Sequence, residues 1–132
     1  MAIANLTNAP LSVDTGNDSI VIVRNLDAVR GGATLDTTGF TPEVINAGHI
    51  IIKETATNQY KPMPVTADAY AALPAGHTYA GFAIQSVLTS MPFVGIMTNG
   101  TVNPVASPYP VSAAMQTAIA GTEGVSITFR AD

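Results

Sequence analysis

His49 and His77 are the two histidines of the chain and its most direct candidates for chemistry. Each follows an Ala-Gly pair and opens a run of residues that favour β-structure, so adjacent strands could bring the rings together beside Glu54 or Asp68. A structural zinc site usually has four ligands, commonly including cysteine, and the chain contains no cysteine. We therefore predict no metal or other cofactor, and we expect both imidazoles to lie at the surface.

The other reactive side chains form no recognisable catalytic grouping. No serine lies in a Gly-x-Ser-x-Gly elbow, and Gly31-Gly32 is not followed by the Gly-Lys-Ser/Thr of a phosphate-binding loop. Neither histidine has a carboxylate at a recognisable partner spacing, and the absence of cysteine excludes thiolate chemistry and disulfides. The sequence therefore predicts that the protein is not an enzyme.

Four tyrosines leave two interpretations open: Tyr60, Tyr70, Tyr79 and Tyr109. They could form a stacking platform for sugars, which would make the protein a carbohydrate- or receptor-binding module. Tyrosine is also common at the rim of protein interfaces, because its ring is apolar and its hydroxyl is polar. We favour the interpretation that these tyrosines lie at a protein interface, because the chain is unusually poor in charged residues.

Charged residues make up 11% of the chain, whereas about 25% is typical. Between Lys61 and Arg130 only Asp68 and Glu123 are charged. Because the cores of specific interfaces are depleted of charge, we expect much of the second half to face other protein chains. The candidate subunit interface consists of Met91, Phe93, Tyr109 and Met115.

Two classes of partner are disfavoured by charge and hydropathy. The formal net charge is −4 and no run of lysine or arginine occurs, which argues against nucleic acid, whose phosphates need neutralising. No apolar run approaches the roughly 18 residues of a membrane-spanning helix. The first ten residues also lack the basic and apolar regions of a secretory signal, so we expect no membrane partner and no export.

Most of the chain follows strand patterns. Residues 20–23 and 50–52 are continuous β-branched runs, which predict strands covered on both faces. Residues 79–105 carry no charge, and Asn99-Gly100 predicts a type I′ hairpin turn between strands 93–97 and 101–105. Residues 59–64 contain two prolines, which restrict that strand to a sheet edge. Apolar and polar residues alternate over 125–129, predicting a half-buried last strand.

Helical signals are fewer. Residues 66–73 could form one helical turn, and residues 111–121 predict the one convincing helix, with Gly121 at its end. We therefore predict a mainly β fold, a small β-barrel or β-sandwich with one short C-terminal helix. Residues 1–19 are polar and rich in turn signals, so we interpret them as an extended N-terminal arm before a single domain over 20–132. Four apolar residues are the arm's candidate contacts with a partner: Ile3, Leu6, Leu11 and Val13.

Several short motifs of this chain resemble the head fibre and capsid decoration proteins of tailed bacteriophages. They are GHIIIK at 48–53, YKPMPV at 60–65, YAGF at 79–82 and PFVGIMTNGTVN at 92–103. The resemblance covers roughly residues 31–111 and leaves the arm outside it.

The resemblance implies a small β protein that forms homotrimers. It further implies a place on the outer surface of the capsid, where the protein binds the major capsid protein and the arm contacts the shell. We therefore expect a structural virion protein, made in the host cytoplasm, whose arm adds a strand to a capsid sheet edge. The alternative is a carbohydrate- or receptor-binding module of a phage or cell-surface assembly.

Overall fold

The structure is a computed structural model that describes residues 15–131, and strands dominate it. In chain order the elements are α1 (Asp18–Val21), β1 (Ile22–Ala28), β2 (Ala33–Thr34), β3 (Val44–Ile45), β4 (Ile50–Glu54), β5 (Tyr60–Pro62), β6 (Val65–Thr66), β7 (Ala69–Tyr70), β8 (His77–Ala83), β9 (Val87–Leu88), β10 (Phe93–Val94), β11 (Ile96–Val102), α2 (Ala113–Ala120) and β12 (Ser126–Phe129). The predicted mainly β fold with a short C-terminal helix is confirmed.

Six strands form the main sheet, in the order β1-β11-β8-β4-β5, with β12 also paired to β11. All pairs are antiparallel except β11 and β12, which are parallel. A strand has two hydrogen-bonding edges, and β1 occupies one edge of β11 from Met97 to Val102. β8 and β12 therefore share the other edge, β8 at Ile96 and Met97 and β12 from Asn99 onward.

The middle of the main sheet is buried on both faces, as the runs of β-branched residues predict. Ile50 and Ile52 face one apolar cluster together with Phe82 and Met97, whereas Ile51 faces a second cluster. Successive side chains of a strand point to opposite faces, so a strand between two apolar layers needs apolar residues at every position. The arrangement is therefore a layered, sandwich-like fold. In residues 15–131 the sheet ends at β1 and β5 and does not close into a barrel.

Different elements cover the two faces. Ile119 of α2 and Ile127 of β12 pack in the first cluster, and Leu35, Ile45 and Val94, from the short-strand region, pack in the second. α2 begins after Ser112, whose hydroxyl accepts a hydrogen bond from the Met115 amide at 3.3 Å, and it ends at Gly121 as predicted. Neither helix of the described part is long and apolar enough to cross a membrane.

The hairpin predicted at Asn99-Gly100 is wrong, because β11 continues without a turn through both residues. Gly100 pairs with Asn25 of β1, and a β-carbon at Gly100 would overlap the carbonyl oxygen of Arg24. The glycine therefore permits close contact between two strands, and the same dipeptide that favours a turn in isolation is needed here in the middle of a sheet.

Two further local predictions are wrong. Residues 66–73 form no helix; β6 and β7 pair as a hairpin whose turn residues, Ala67 and Asp68, have φ angles of 52° and 58°. Residues 20–23 are not one strand either, because Ile20 and Val21 belong to α1. Both errors follow from tertiary contacts that override local propensity.

The remaining strand predictions are confirmed in outline. β5, which contains Pro62, lies at one end of the main sheet, and β12 alternates exposed and buried side chains from Ser126 to Phe129. The other end of the sheet is β1, where three register shifts mark irregular pairing with β11. At two of these shifts Val23 and Leu26 have no partner in the ladder, and Leu26 is exposed. Such bulges are a common way of keeping a sheet edge from pairing with other chains.

Candidate assembly surface

His49 is buried among aromatic rings, which contradicts the prediction that it lies at the surface. It is 1% exposed, and its ring makes edge contacts with Phe40, Tyr70 and Tyr109 at centroid distances of 5.4, 5.3 and 5.7 Å. Its Nε2 lies 3.0 Å from the carbonyl oxygen of Met63. Because a carbonyl can only accept, the proton of the neutral ring is on Nε2.

Burial also sets the protonation of this aromatic cluster. It lowers the pKa of His49 to about 4, and the hydrogen bond to Met63 opposes this only in part. Burial likewise raises the pKa of Tyr70, whose hydroxyl accepts from the Ile50 amide at 3.1 Å and lies 3.4 Å from the Gly48 carbonyl. The cluster is thus a neutral packing unit that fixes the loops around residues 40, 49, 70 and 109.

His77 lies elsewhere, at the start of β8 opposite Glu54 of β4. Its Nδ1 is 2.9 Å from the carbonyl oxygen of Ala75. The two histidines are therefore not brought together. Among residues 15–131 no group of three or more histidine, aspartate or glutamate side chains could hold a metal ion.

The four residues of the candidate subunit interface do not form one patch. Met91 and Phe93 share one loop and are 72% and 58% exposed. Tyr109 is half-buried against His49 and Tyr70, and Met115 packs against the first apolar cluster from α2. Tyr109 and Met115 therefore stabilise the subunit itself, and only the first pair presents large apolar surface.

Backbone hydrogen bonds hold the loop that carries Met91 and Phe93. Thr89 donates its amide to the Glu43 carbonyl at 2.9 Å and its hydroxyl to the Pro42 carbonyl at 2.6 Å. Phe93 then pairs with Thr34 in the short β2/β10 sheet. The exposed apolar side chains thus project from a supported backbone, which limits the entropy lost on docking.

A shallow hollow of about 330 Å³ adjoins this loop. It is lined by Phe40, Thr41, Pro42, Glu43, Thr89 and Ser90, of which Glu43 alone is ionisable. Phe40 lines the hollow, and its ring also packs against the buried ring of His49.

Three more exposed apolar residues lie outside this surface: Ile20, Leu26 and Val105. Val105 is 81% exposed, in the loop held by the Asn103 side chain, whose oxygen accepts from the amides of Val105 and Ala106 at 3.0 and 3.2 Å. The sequence analysis missed these positions. The proline before Val105 is the one local signal that it belongs to a surface loop.

The tyrosines do not converge on one platform. Tyr70 and Tyr79 pack against the first apolar cluster, whereas Tyr60 packs against the second, on the other face of the sheet. The amino group of Lys53 lies 6.0 Å from the centroid of the Tyr60 ring. The rings of Tyr70 and Tyr109 contact each other at a centroid distance of 5.2 Å, but the four tyrosines do not form one surface.

The N-terminal end of the described chain is fixed to the body beside a cleft of about 240 Å³. The two carboxylate oxygens of Asp18 accept hydrogen bonds from the hydroxyl and the amide of Ser86, at 2.7 and 3.0 Å. The same hydroxyl accepts from the Ala47 amide at 2.9 Å. Within the predicted arm 1–19, Asp18 and Ser19 thus belong to α1. The arm's four candidate contacts, Ile3, Leu6, Leu11 and Val13, lie outside the described residues.

Comparison of the chain with protein-family models, with curated proteins and with solved structures finds no match.

Proposed function

We propose that the protein is a structural component of a virus particle, a homotrimeric decoration or head fibre protein on the outer surface of the capsid shell. The observation that carries the proposal is the exposure of the large apolar side chains of Met91 and Phe93 on a small β domain. Surfaces of this kind are costly in water, and interfaces are where proteins usually bury them. The resemblance of four short motifs to head fibre and decoration proteins is the reason for proposing this particular assembly.

The N-terminal residues are the proposed means of attachment to the capsid. Residues 1–14 precede Thr15, whose carbonyl oxygen accepts from the Asp18 amide at 3.1 Å at the start of α1. A trimer would present three such arms to the capsid at high effective concentration, so modest contacts by each arm would give firm attachment. Subunit association and capsid attachment thus use separate parts of the chain.

The test compares the full chain with a variant that lacks residues 1–14 and keeps Asp18. Light scattering should give the mass of a trimer for both proteins. Co-sedimentation with undecorated capsids of the phage that encodes the chain should retain the full protein and lose most of the truncated one. Failure of the full-length protein to bind these capsids would refute the proposal.

A further inference from the structure

A projection and a depression lie next to each other along the chain. The first, which we call the knob, consists of the exposed side chains of Met91 and Phe93. The second is the hollow of about 330 Å³ between Phe40 and Thr89. Met91 directly follows Ser90, which lines the hollow, and neither Met91 nor Phe93 is among the residues that line it.

Both features have fixed backbones. The amide of Leu35 donates to the carbonyl of Pro92 at 2.9 Å, which ties the knob to the strand region of β2. On the other side, the hydrogen bonds of Thr89 to Pro42 and Glu43 set the width of the hollow. A rigid projection and a rigid depression can associate without a large ordering cost.

The charges beside the two features are complementary. Arg30 lies in the turn closed by the hydrogen bond from the Gly32 amide to the Val29 carbonyl at 3.1 Å, and a β-carbon at Gly32 would lie 3.4 Å from the Phe93 ring. The turn with Arg30 therefore borders the knob, whereas Glu43 lines the hollow. Both side chains belong to exposed residues, and neither forms an ion pair with another residue of 15–131.

We propose that the knob of one copy docks into the hollow of a second copy, with Arg30 of the first copy facing Glu43 of the second. A trimer requires this contact to be head-to-tail and not reciprocal, and repetition of a head-to-tail contact closes into a ring when the rotation per step is a third of a turn. This inference rests on the self-assembly part of the proposed function and identifies the surface that mediates it.

The apolar part of the contact is tested with Phe93→Ala, and Leu26→Ala is the matched control. Leu26 is 55% exposed, close to the 58% of Phe93, but it lies on β1 outside the knob. Sedimentation over a range of concentrations should show the dissociation constant raised roughly thirtyfold or more by Phe93→Ala, as for a central interface residue, and unchanged by Leu26→Ala. Unchanged association of a folded Phe93→Ala protein would overturn the inference.

The polarity of the contact is tested by charge reversal. Arg30→Glu and Glu43→Arg should each weaken association about three- to tenfold at low salt, and the double variant should restore it, because the pair is re-formed with its signs exchanged. A double variant weaker than both single variants would overturn the pairing of Arg30 with Glu43. Circular dichroism of each variant verifies that it is folded.

The same experiments separate this inference from the proposed function. A chain that is monomeric at every concentration and still binds capsids overturns the head-to-tail contact and leaves the decoration role supported. A chain whose trimer depends on Phe93 and Arg30 but which binds no capsid supports the contact and refutes the decoration role.

Discussion

At the scale of single residues, His49 is the most consequential position outside the assembly surface. The ring is enclosed by Phe40, Tyr70 and Tyr109, and its pKa lies near 4 because burial disfavours the charged form. A protonated imidazole would be a charge without a carboxylate partner among these rings. As the pH is lowered, protonation of His49 should therefore reduce the stability of the fold before other groups do.

We expect the free energy of unfolding to decrease as the pH falls from about 6.5 to about 4. The unfolded chain binds a proton on His49 near pH 6.5, whereas the folded chain does so only near pH 4. Between these values the unfolded state binds more protons, so lower pH favours it, and the loss levels off below pH 4. The difference corresponds to roughly 3 kcal/mol. Urea denaturation at pH 7, 5.5 and 4 measures it.

His49→Gln should remove most of this pH dependence, and His77→Gln is the control, because His77 is partly exposed. The carboxyl groups of Asp36 and Glu54 act in a lower range. Hydrogen bonds from Thr38 and Thr57, respectively, lower their pKa values from 3.8 and 4.5, so their contribution is lost only as the pH falls through those lowered values. An unaltered slope between pH 6.5 and 4.5 in His49→Gln would contradict the assignment.

The sequence identified His49 as a notable residue but not its environment. The rings around it come from positions 40, 70 and 109, which are far apart along the chain and are separated by several strands whose pairing the sequence does not specify. Whether a histidine at the start of a strand is exposed or buried depends on which other residues cover that end of the strand, and the local sequence does not reveal them. Met91 and Phe93, by contrast, are interface candidates because the second half of the chain is poor in charge, and both side chains are exposed.

At the scale of elements, α1 illustrates how a short segment gains its conformation from a distant partner. A helix of four residues is not stable on its own, because nucleation is unfavourable. Asp18 accepts two hydrogen bonds from Ser86, and Val21 is 2% exposed in the first apolar cluster. These contacts, and not the β-branched residues that follow, determine where β1 begins.

Asp18→Ala should therefore lower the free energy of unfolding by about 1–3 kcal/mol, because it leaves two donors of Ser86 without their acceptor. Asp27→Ala is the control, since Asp27 is exposed and accepts only from the adjacent Ala28 amide at 2.9 Å. Chemical denaturation compares the two variants. Equal stability of both would show that Val21 packing alone fixes α1.

Element prediction succeeded where burial and local pattern agree and failed where they conflict. The isoleucines of β4, the proline of β5 and the alternation of β12 each have one explanation, and all three strands are found. The dipeptide Asn99-Gly100 is equally compatible with a hairpin turn and with a close contact between two strands. Only the approach of Arg24, some 75 residues earlier in the chain, decides between the two.

At the scale of the whole molecule, the scarcity of charge sets an expectation for the proposed association of subunits. From residue 62 to residue 129 the chain carries two charged residues, so little electrostatic attraction or repulsion acts across much of its surface. Burial of apolar groups is then the main driving force, and one exposed ion pair per contact contributes little.

We therefore expect association to be nearly independent of salt. Raising sodium chloride from 50 to 500 mM should change the dissociation constant by less than about tenfold, because screening affects the Arg30–Glu43 pair but not apolar burial. Analytical ultracentrifugation at the two salt concentrations measures this. Full dissociation to monomers at 500 mM would mean that charges hold the subunits together.

The pairing of β1 with β11 has a consequence for synthesis on the ribosome. Ile22 pairs with Val102, so the first strand of the main sheet has no partner until nearly four fifths of the chain has been made. Pairings so distant in sequence fold slowly. Newly made chains thus spend the longest interval of their synthesis with β1 unpaired on both edges, which makes this strand the segment that a chaperone would protect.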